Sequence, residues 1–334
     1  MNRPPARLHI VTGKGGTGKT TVAASLALAL AAGGRRVLLC EVEGRQGIAS
    51  AFDLAPLPYG EARVAVRPDG GEVFGLAVDA EAALLEYLAL FYHLGRAGRL
   101  LDRFGLIDFA TTIAPGVRDV LLIGKVYEAA RRLDRDRRPA YSAVVLDGPP
   151  TGRIGRFLNV GTEVAGVAKV GPIRRQATSI MRMLTSHRTT VHVVTTLEEM
   201  PVQEALDAID ELAGLRLTVG DLIVNSVRRS EVPAKELDAL SAGRVTPKGL
   251  LAALAGAGLQ VERPFVEGLL DEGRALAARL DVEAAQSARL DQTRLPRATL
   301  PRLSQGVDLA DLFDLAEHLA ALASTPTGPD SEGR

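Results

Sequence analysis

The stretch that decides the fold is HIVTGKGGTGKTTVAASL, residues 9–26. It runs from an apolar segment through a glycine-rich loop into a helix-forming segment, and residues 13–20 fit the pattern G-x-x-x-x-G-K-[ST]. Glycines let the backbone turn tightly and direct N–H groups at phosphate oxygens, and the following helix adds its positive N-terminal end. The stretch therefore predicts a P-loop at the first strand-to-helix turn of an α/β fold.

The side chains of this loop indicate that its ligand is a nucleotide. Lys19 is expected to reach the β- and γ-phosphates of a nucleotide, and the Thr20 hydroxyl to coordinate Mg²⁺. The loop residues expected to contact ATP or ADP are Gly13, Gly15, Gly16, Thr17, Gly18, Lys19, Thr20 and Thr21. A nucleotide with Mg²⁺ is thus the predicted cofactor pair.

Short apolar runs recur along the chain and alternate with helical patterns. Several of them are apolar on consecutive residues, which is typical of strands covered by helices on both faces. The predicted strands are 7–12, 36–41, 72–78, 142–147, 191–195, 221–225 and 296–300. The alternation predicts a doubly wound, mostly parallel sheet.

The longer intervals between these strands predict helical insertions. Residues 80–139 contain no convincing strand, and Asp79 is placed to N-cap their first helix, so we expect an inserted helical subdomain there. A second helical insertion is expected over 160–188. The whole is predicted to form a single P-loop domain over 1–325, followed by a disordered tail, 326–334.

The composition restricts the class of protein. The 334 residues carry 40 Lys+Arg and 40 Asp+Glu, so a formal net charge of zero gives no general attraction to nucleic acid. Cys40 is the only cysteine, which excludes an intrachain disulfide or a cysteine cluster for zinc and fits a reducing cytosol. We find no signal-peptide pattern and no apolar stretch long enough to span a bilayer, and we therefore expect a soluble cytoplasmic protein.

A second lysine, Lys14, stands in the same loop although the phosphate-binding pattern does not require it. It could be a solvated loop charge. The sequence K-G-G-x-G-K-T-T also matches the deviant P-loop ATPases, and that resemblance implies a lysine that crosses a dimer interface to the partner's nucleotide. A cation supplied in this way would stabilise phosphoryl-transfer charge only when two subunits close.

Further segments resemble the arsenical-pump and tail-anchored-protein-targeting ATPases. VVLDGPPTGRIGRFL (144–158) resembles the switch II segment of that family, and LAVDAEAALLEYL (76–88) its strand-to-helix segment. APGVRDVLLIGKV (114–126) and LPRLSQGVDLADL (300–312) are similar to two more family motifs. The matches follow family order over residues 7–322, and the layout looks most like the actinobacterial "anion-transporting ATPase" members.

The resemblance implies roles for residues outside the P-loop. Asp147, at the end of a predicted strand, matches the carboxylate that holds Mg²⁺ through water. Asn225 matches the family's adenine-contacting asparagine, although asparagine at a strand end is also a common turn residue. Pro301 and Leu303 lie in the loop that would cover the base.

The first switch departs from the family pattern. EVEGRQGIAS (41–50) stands where the family reads S-T-D-P-A-H-S-L-S-D. Glu43 replaces the aspartate that positions the attacking water, and a shift of about 1 Å can cost on the order of 100-fold in rate. Hydrolysis by this chain is therefore slow, or the water is held differently. Ser50 replaces a second aspartate, and Arg153 replaces the switch II histidine.

These observations lead to two hypotheses of different class. The first is a Mg²⁺-dependent ATPase that works as a dimer and couples its nucleotide state to a protein client. The second is a slow or inactive nucleotide-binding subunit that scaffolds a heterodimer with a paralogous ATPase. A metalloid pump and a membrane-protein targeting factor are disfavoured, because the cysteines of both and the Met-rich region of the second are missing.

A DNA-partition ATPase is disfavoured by the neutral charge. The expected partners are therefore an identical or related subunit and an unidentified protein client. No nucleic acid and no integral membrane segment are expected, and peripheral membrane association is left open.

Overall fold

An eight-stranded sheet forms the centre of the computed structural model, which describes residues 6–42, 44–83, 86, 115–161, 172–303 and 306–324. The strands are β1 (Leu8–Gly13), β2 (Arg36–Glu41), β3 (Ala62–Val66), β4 (Glu72–Ala77), β5 (Ala143–Asp147), β6 (Thr189–Thr195), β7 (Val219–Val227) and β8 (Arg297–Pro301). Their order is β3-β4-β2-β5-β1-β6-β7-β8, and only the β3–β4 pair among them is antiparallel. All seven predicted strands are confirmed to within two residues at either end.

Helices cover both faces of this sheet. They are α1 (Lys19–Ala31), α2 (Gly47–Ala51), α3 (Pro115–Arg131), α4 (Thr151–Leu158), α5 (Pro172–Leu184), α6 (Glu199–Gly214), α7 (Ala234–Ser241), α8 (Pro247–Gly256), α9 (Arg263–Leu290), α10 (Leu309–His318) and α11 (Ala320–Ser324). One apolar cluster joins the sheet to α3, α4, α5 and α6, and the other joins its opposite face to α1, α2 and α10. The predicted doubly wound, mostly parallel α/β fold is therefore confirmed.

The apolar character of β1 and α1 follows from their central position. Neighbouring residues of β1 belong to different clusters, since Ile10 packs with the first and Val11 with the second. Helix α1 lies between the sheet and α10, and its residues 22–31 are all buried. This burial explains why α1 is apolar nearly all round instead of on one stripe.

The prediction missed strand β3, which is short, lies at the sheet edge and has a register shift between Arg63 and Ala65. The signal was present, because RVAV (63–66) is followed by PDGG (68–71), a turn sequence typical of hairpins. Gly70 has the positive φ of 83° that such a turn requires.

The predicted helical insertions are described in part. The Ala82 N–H donates to Asp79 Oδ1 at 2.9 Å, as expected of the N-cap, and α3 lies within 80–139. The second insertion contains α5, and the predicted tail lies outside the described residues. Helices α7, α8 and α9, between β7 and β8, were not predicted. Within the described ranges, every helix is too short or too polar to cross a membrane.

Candidate functional site

The P-loop connects the end of β1 to the start of α1. Gly16 and Gly18 have φ angles of 87° and 85°, in the left-handed region that glycine enters without strain. A Cβ at Gly13 would lie 2.2 Å from the carbonyl oxygen of Val194, so only glycine fits beside β6. Thr17 closes the loop, because its N–H and Oγ1 both donate to the Lys14 carbonyl, at 3.3 and 2.8 Å. The tip, Gly15 and Gly16, is exposed.

Asn225 of β7 contacts this loop on the side that faces the sheet. Its side chain is buried, and Nδ2 donates to the Thr17 carbonyl at 2.9 Å. A Cβ at Gly18 would lie 2.3 Å from the same Nδ2. Asn225 thus braces the P-loop, a contact that the sequence did not predict. Its predicted contact with adenine stays a prediction.

Three oxygen-bearing side chains meet where α1, β2 and β5 converge. The Thr20 hydroxyl donates to Asp147 Oδ2 at 2.6 Å. Glu41 ends β2 and is the register partner of Asp147 on β5. Because the carboxyl ends of parallel strands meet at one edge of the sheet, the predicted metal residues Thr20 and Asp147 come together at the P-loop. Glu41 was overlooked, although it carries the same signal as Asp147, a carboxyl group that ends an apolar strand.

The donor chemistry of this corner fits Mg²⁺. Hydroxyl and carboxyl oxygens are the protein ligands that Mg²⁺ prefers, and it usually combines one or two carboxylates with substrate phosphates and water. In the described parts of the chain, no group of three or more His, Cys, Asp or Glu residues could hold a metal by itself. The corner therefore suits an ion that arrives with nucleotide phosphates, not a metal site made by protein alone.

Lys14 contacts a residue of its own chain. Its Nζ forms an ion pair with Glu204 Oε1 of α6, and the side chains are each 32% exposed. Glu204 Oε2 accepts a hydrogen bond of 3.0 Å from the hydroxyl of Thr151, the first residue of α4. The hydrogen bond from Lys14 holds the pKa of the Glu204 carboxyl below its usual range. Glu204 thus links the P-loop to α4, the helix that ends the predicted switch II segment.

The backbone of that segment is held against β1. The Gly148 N–H donates to the Val11 carbonyl at 2.9 Å, and Thr12 Oγ1 donates to the Pro149 carbonyl at 2.8 Å. Arg153, which stands where the family has histidine, lies 3.5 Å from Asp119 of α3. Switch II is therefore in contact with both the P-loop strand and the helical layer.

A cavity of about 340 Å³ lies beside the P-loop, next to β7 and β8. Gly16, Arg228, Glu283 and Arg302 are among its lining residues, and Arg228 forms an ion pair with Glu283 of α9. Of the two residues predicted to cover the base, Pro301 ends β8 opposite Val227, and Leu303 packs against the core cluster that contains α1. Their role stays a prediction.

The structure describes one of the two substituted positions of the first switch, Ser50, but not the other, Glu43. Glu43, the predicted water-positioning carboxylate, lies outside the described residues. Ser50 is exposed on α2.

Comparisons with known proteins agree with this geometry. Residues 6–187 match the family model described as "Anion-transporting ATPase". The chain is 51% identical over 314 residues to "ATPase BagA" of Mycobacterium tuberculosis, which covers 94% of this chain and 92% of that protein. It is 28% identical over 159 residues to "ATPase GET3" of Podospora anserina, covering 47% and 44% of the two chains. The chain therefore belongs to the anion-transporting ATPase family.

This membership confirms the resemblance drawn from the sequence motifs. It also assigns the chain to a class of nucleotide-dependent ATPases, and the matched region contains the P-loop, Asp147 and the switch II segment.

Proposed function

We propose that this chain binds ATP with Mg²⁺ at the P-loop, hydrolyses it, and acts as a dimeric switch whose state is read by a protein client. The observation that supports the proposal best is the contact of Thr20 with Asp147 beside the glycine loop. This contact supports the proposal because it puts two oxygen-bearing side chains, of the kind that Mg²⁺ prefers, next to a loop suited to phosphate.

Each group in this corner has a separate task. The N–H groups of the loop and the N-terminal end of α1 bind the phosphate oxygens. Lys19 would neutralise charge on the β- and γ-phosphates, and Thr20, together with Asp147 acting through water, would hold the metal. When bound, Mg²⁺ supplies positive charge against the phosphoryl oxygens. Glu43 is the proposed carboxylate for the attacking water.

The contact of Lys14 with Glu204 supports a switch. A partly exposed ion pair of this kind contributes only about 0–1 kcal/mol, so the phosphates of a second subunit could take Lys14 from Glu204 at little cost. Thr151 shares Glu204, so release of Lys14 changes the contacts of α4. In our proposal, dimer closure and movement of switch II are coupled through this carboxyl group.

The second candidate function is a slow or inactive subunit that scaffolds a heterodimer with a paralogous ATPase. Glu43 favours it, because glutamate has one methylene more than the aspartate of the family pattern and would hold the attacking water at a different distance. Comparing turnover of wild type and Glu43→Asp, with and without a paralogous subunit, separates the two. A large gain for Glu43→Asp alone supports the scaffold, whereas unchanged turnover supports the active ATPase.

The two loop lysines test the proposed function. Lys19→Ala should weaken ATP binding by at least about 100-fold in calorimetry, because it loses the cation on the phosphates. Lys14→Ala should keep the binding of ATP to the monomer and lose ATP-dependent dimerisation, measured by light scattering. Lys235→Ala, an exposed position on α7, is the matched control. Normal ATP binding by Lys19→Ala would refute the P-loop assignment, and normal dimerisation by Lys14→Ala would refute the role of Lys14 across the interface.

A further inference from the structure

Glu41 is a buried carboxyl group with one oxygen in use. The residue is 3% exposed, and its Oε2 accepts a hydrogen bond of 2.9 Å from the N–H of Ile48, at the start of α2. Its Oε1 is buried and has no hydrogen-bond partner among the residues that the structure describes. Because a buried acceptor without a donor costs free energy, such an atom calls for water or a ligand at that place.

The residues around Glu41 are those of the predicted magnesium site. Glu41 and Asp147 are register partners on neighbouring parallel strands, so both side chains project to the same face of the sheet. A Cβ at Gly47 would lie 3.4 Å from Thr20 Oγ1 and 3.5 Å from Glu41 Oε2. Thr20 and Glu41 therefore border the same small space, which the glycine leaves open, and Thr20 in turn contacts Asp147.

The charges of Glu41 and Asp147 also favour a cation at this position. Two carboxyl groups at neighbouring strand ends repel each other when both are ionised, and a nearby cation removes that cost. A glutamate that only anchored α2 would need one acceptor oxygen, which an uncharged side chain could provide equally well. The second oxygen, Oε1, which has no partner among the described residues, is what an anchoring role leaves unexplained.

We propose that Glu41 is a positioning residue of the magnesium site. Its Oε1 accepts a hydrogen bond from water at the metal, while its Oε2 holds the start of α2, so that metal binding is linked to the first switch. The proposal rests on the proposed function, in which Mg²⁺ binds with the nucleotide at Thr20 and Asp147. The family pattern has serine at this position, so this link would be a property of this chain and relatives that share the glutamate.

The test compares the affinity for ADP in Mg²⁺ with that in EDTA, measured by calorimetry. Glu41→Gln should keep the affinity in EDTA within about twofold and lose about tenfold of the enhancement by Mg²⁺, as groups that support a metal ligand do. Gly47→Ala should show the same pattern, because its methyl group would lie 3.1 Å from Thr20 Cγ2 and press on the side chain that contacts Asp147. Glu72→Gln is the matched control, because Glu72 is the first residue of β4 and lies at the edge of the sheet opposite to Glu41. This variant should behave as wild type.

A second measurement separates positioning from a structural role. In EDTA without nucleotide, Glu41→Gln should raise the unfolding temperature by a few degrees, because it removes a buried acidic group that lacks a cation. A lower unfolding temperature together with an unchanged Mg²⁺ enhancement would overturn the proposal. If wild type itself binds ADP equally well with and without Mg²⁺, the magnesium part of the proposed function fails, and the role of Glu41 fails with it.

Discussion

Buried polar groups have different partners at the two ends of the central strands. Between the starting end and the middle of β1, β6 and β7, His9 Nδ1 lies 3.1 Å from His192 Nε2, and His192 Nδ1 lies 3.2 Å from Asp221 Oδ2. The remaining nitrogen, His9 Nε2, is 3.3 Å from the Ala6 carbonyl. At the carboxyl end, Glu41 keeps an oxygen without a partner among the described residues, and the loop tip is exposed.

This difference teaches how to distinguish structural polar groups from groups that await a ligand. An unpartnered atom alone does not decide, because Thr190 Oγ1 and Arg7 Nε, near the starting end, also lack hydrogen-bond partners in the described part of the chain. What distinguishes the nucleotide end is an acidic oxygen beside a second acidic group and a loop of N–H donors. Toward the starting end, His9, His192 and Asp221 contact each other instead.

The largest expected difference between the ends comes from a matched pair of glycines. Gly13→Ala should abolish ADP binding and cost about 3 kcal/mol in the free energy of unfolding, because its Cβ would lie 2.2 Å from the backbone oxygen of Val194. Gly220→Ala places a Cβ 2.3 Å from Thr190 Oγ1, a side-chain atom that can rotate away. It should cost about 1 kcal/mol and leave ADP binding unchanged. Chemical denaturation and calorimetry measure both, and normal ADP binding by Gly13→Ala would contradict the P-loop geometry.

A matched pair of aspartates should give the next largest effect. Asp147→Asn should lower Mg²⁺-dependent ATP turnover by about 100-fold, because it removes charge from the proposed metal site. Asp221→Asn, at the starting end, should change the free energy of unfolding by about 1–2 kcal/mol through its contact with His192 and leave turnover unaffected. Phosphate release measures turnover, and equal turnover for the two variants would remove the distinction between the ends.

The buried histidines should make the starting end sensitive to acid. Burial, followed by the neighbouring His192, lowers the pKa of His9 from 6.5 to about 3. The unfolded chain therefore binds a proton at His9 below about pH 6.5 while the folded chain does not. Because His9 is neutral in the folded chain, its contribution to the free energy of unfolding is greatest above pH 6.5. This contribution decreases as the pH falls from 6.5 toward 3, by at most about 1.4 kcal/mol per pH unit.

The variant His9→Gln tests this sign. It should be less stable than wild type at pH 8 and should lose less stability between pH 6.5 and 4, followed by denaturation at each pH. His187→Gln, an exposed position, serves as control and should keep the wild-type slope. An unchanged slope for His9→Gln would show that other groups govern the acid response.

The smallest effect is expected at Glu204, where the nucleotide end has a contact within the chain. Because the pair with Lys14 is partly exposed to solvent, Glu204→Gln should change the free energy of unfolding by less than about 1 kcal/mol. It should strengthen ATP-dependent dimerisation about twofold, since Lys14 is no longer held. Glu199→Gln, on the first turn of α6, is the control. Weaker dimerisation would mean that Glu204 supports closure instead of competing with it.

The sequence was sufficient where neighbouring residues carry the information. The P-loop is one continuous stretch whose glycines and lysines can be recognised without a fold, and the apolar runs of the strands follow from burial on both sides. Strand β3 was missed because it is short and half-exposed at the edge, so its pattern is weak. The helices α7 and α8 have no buried residues, so their apolar period does not stand out.

The contacts that turn these segments into a site join residues far apart in the chain. Glu41 with Asp147, Lys14 with Glu204, and Thr17 with Asn225 each depend on which strands lie side by side. Local patterns do not encode that order. The sequence by itself thus determined a phosphate-binding loop, a doubly wound sheet and the presence of a second lysine. Only the tertiary structure decided that this lysine meets Glu204 and that Glu41 is the strand neighbour of Asp147, because strand order and helix packing set distances between residues that the chain separates.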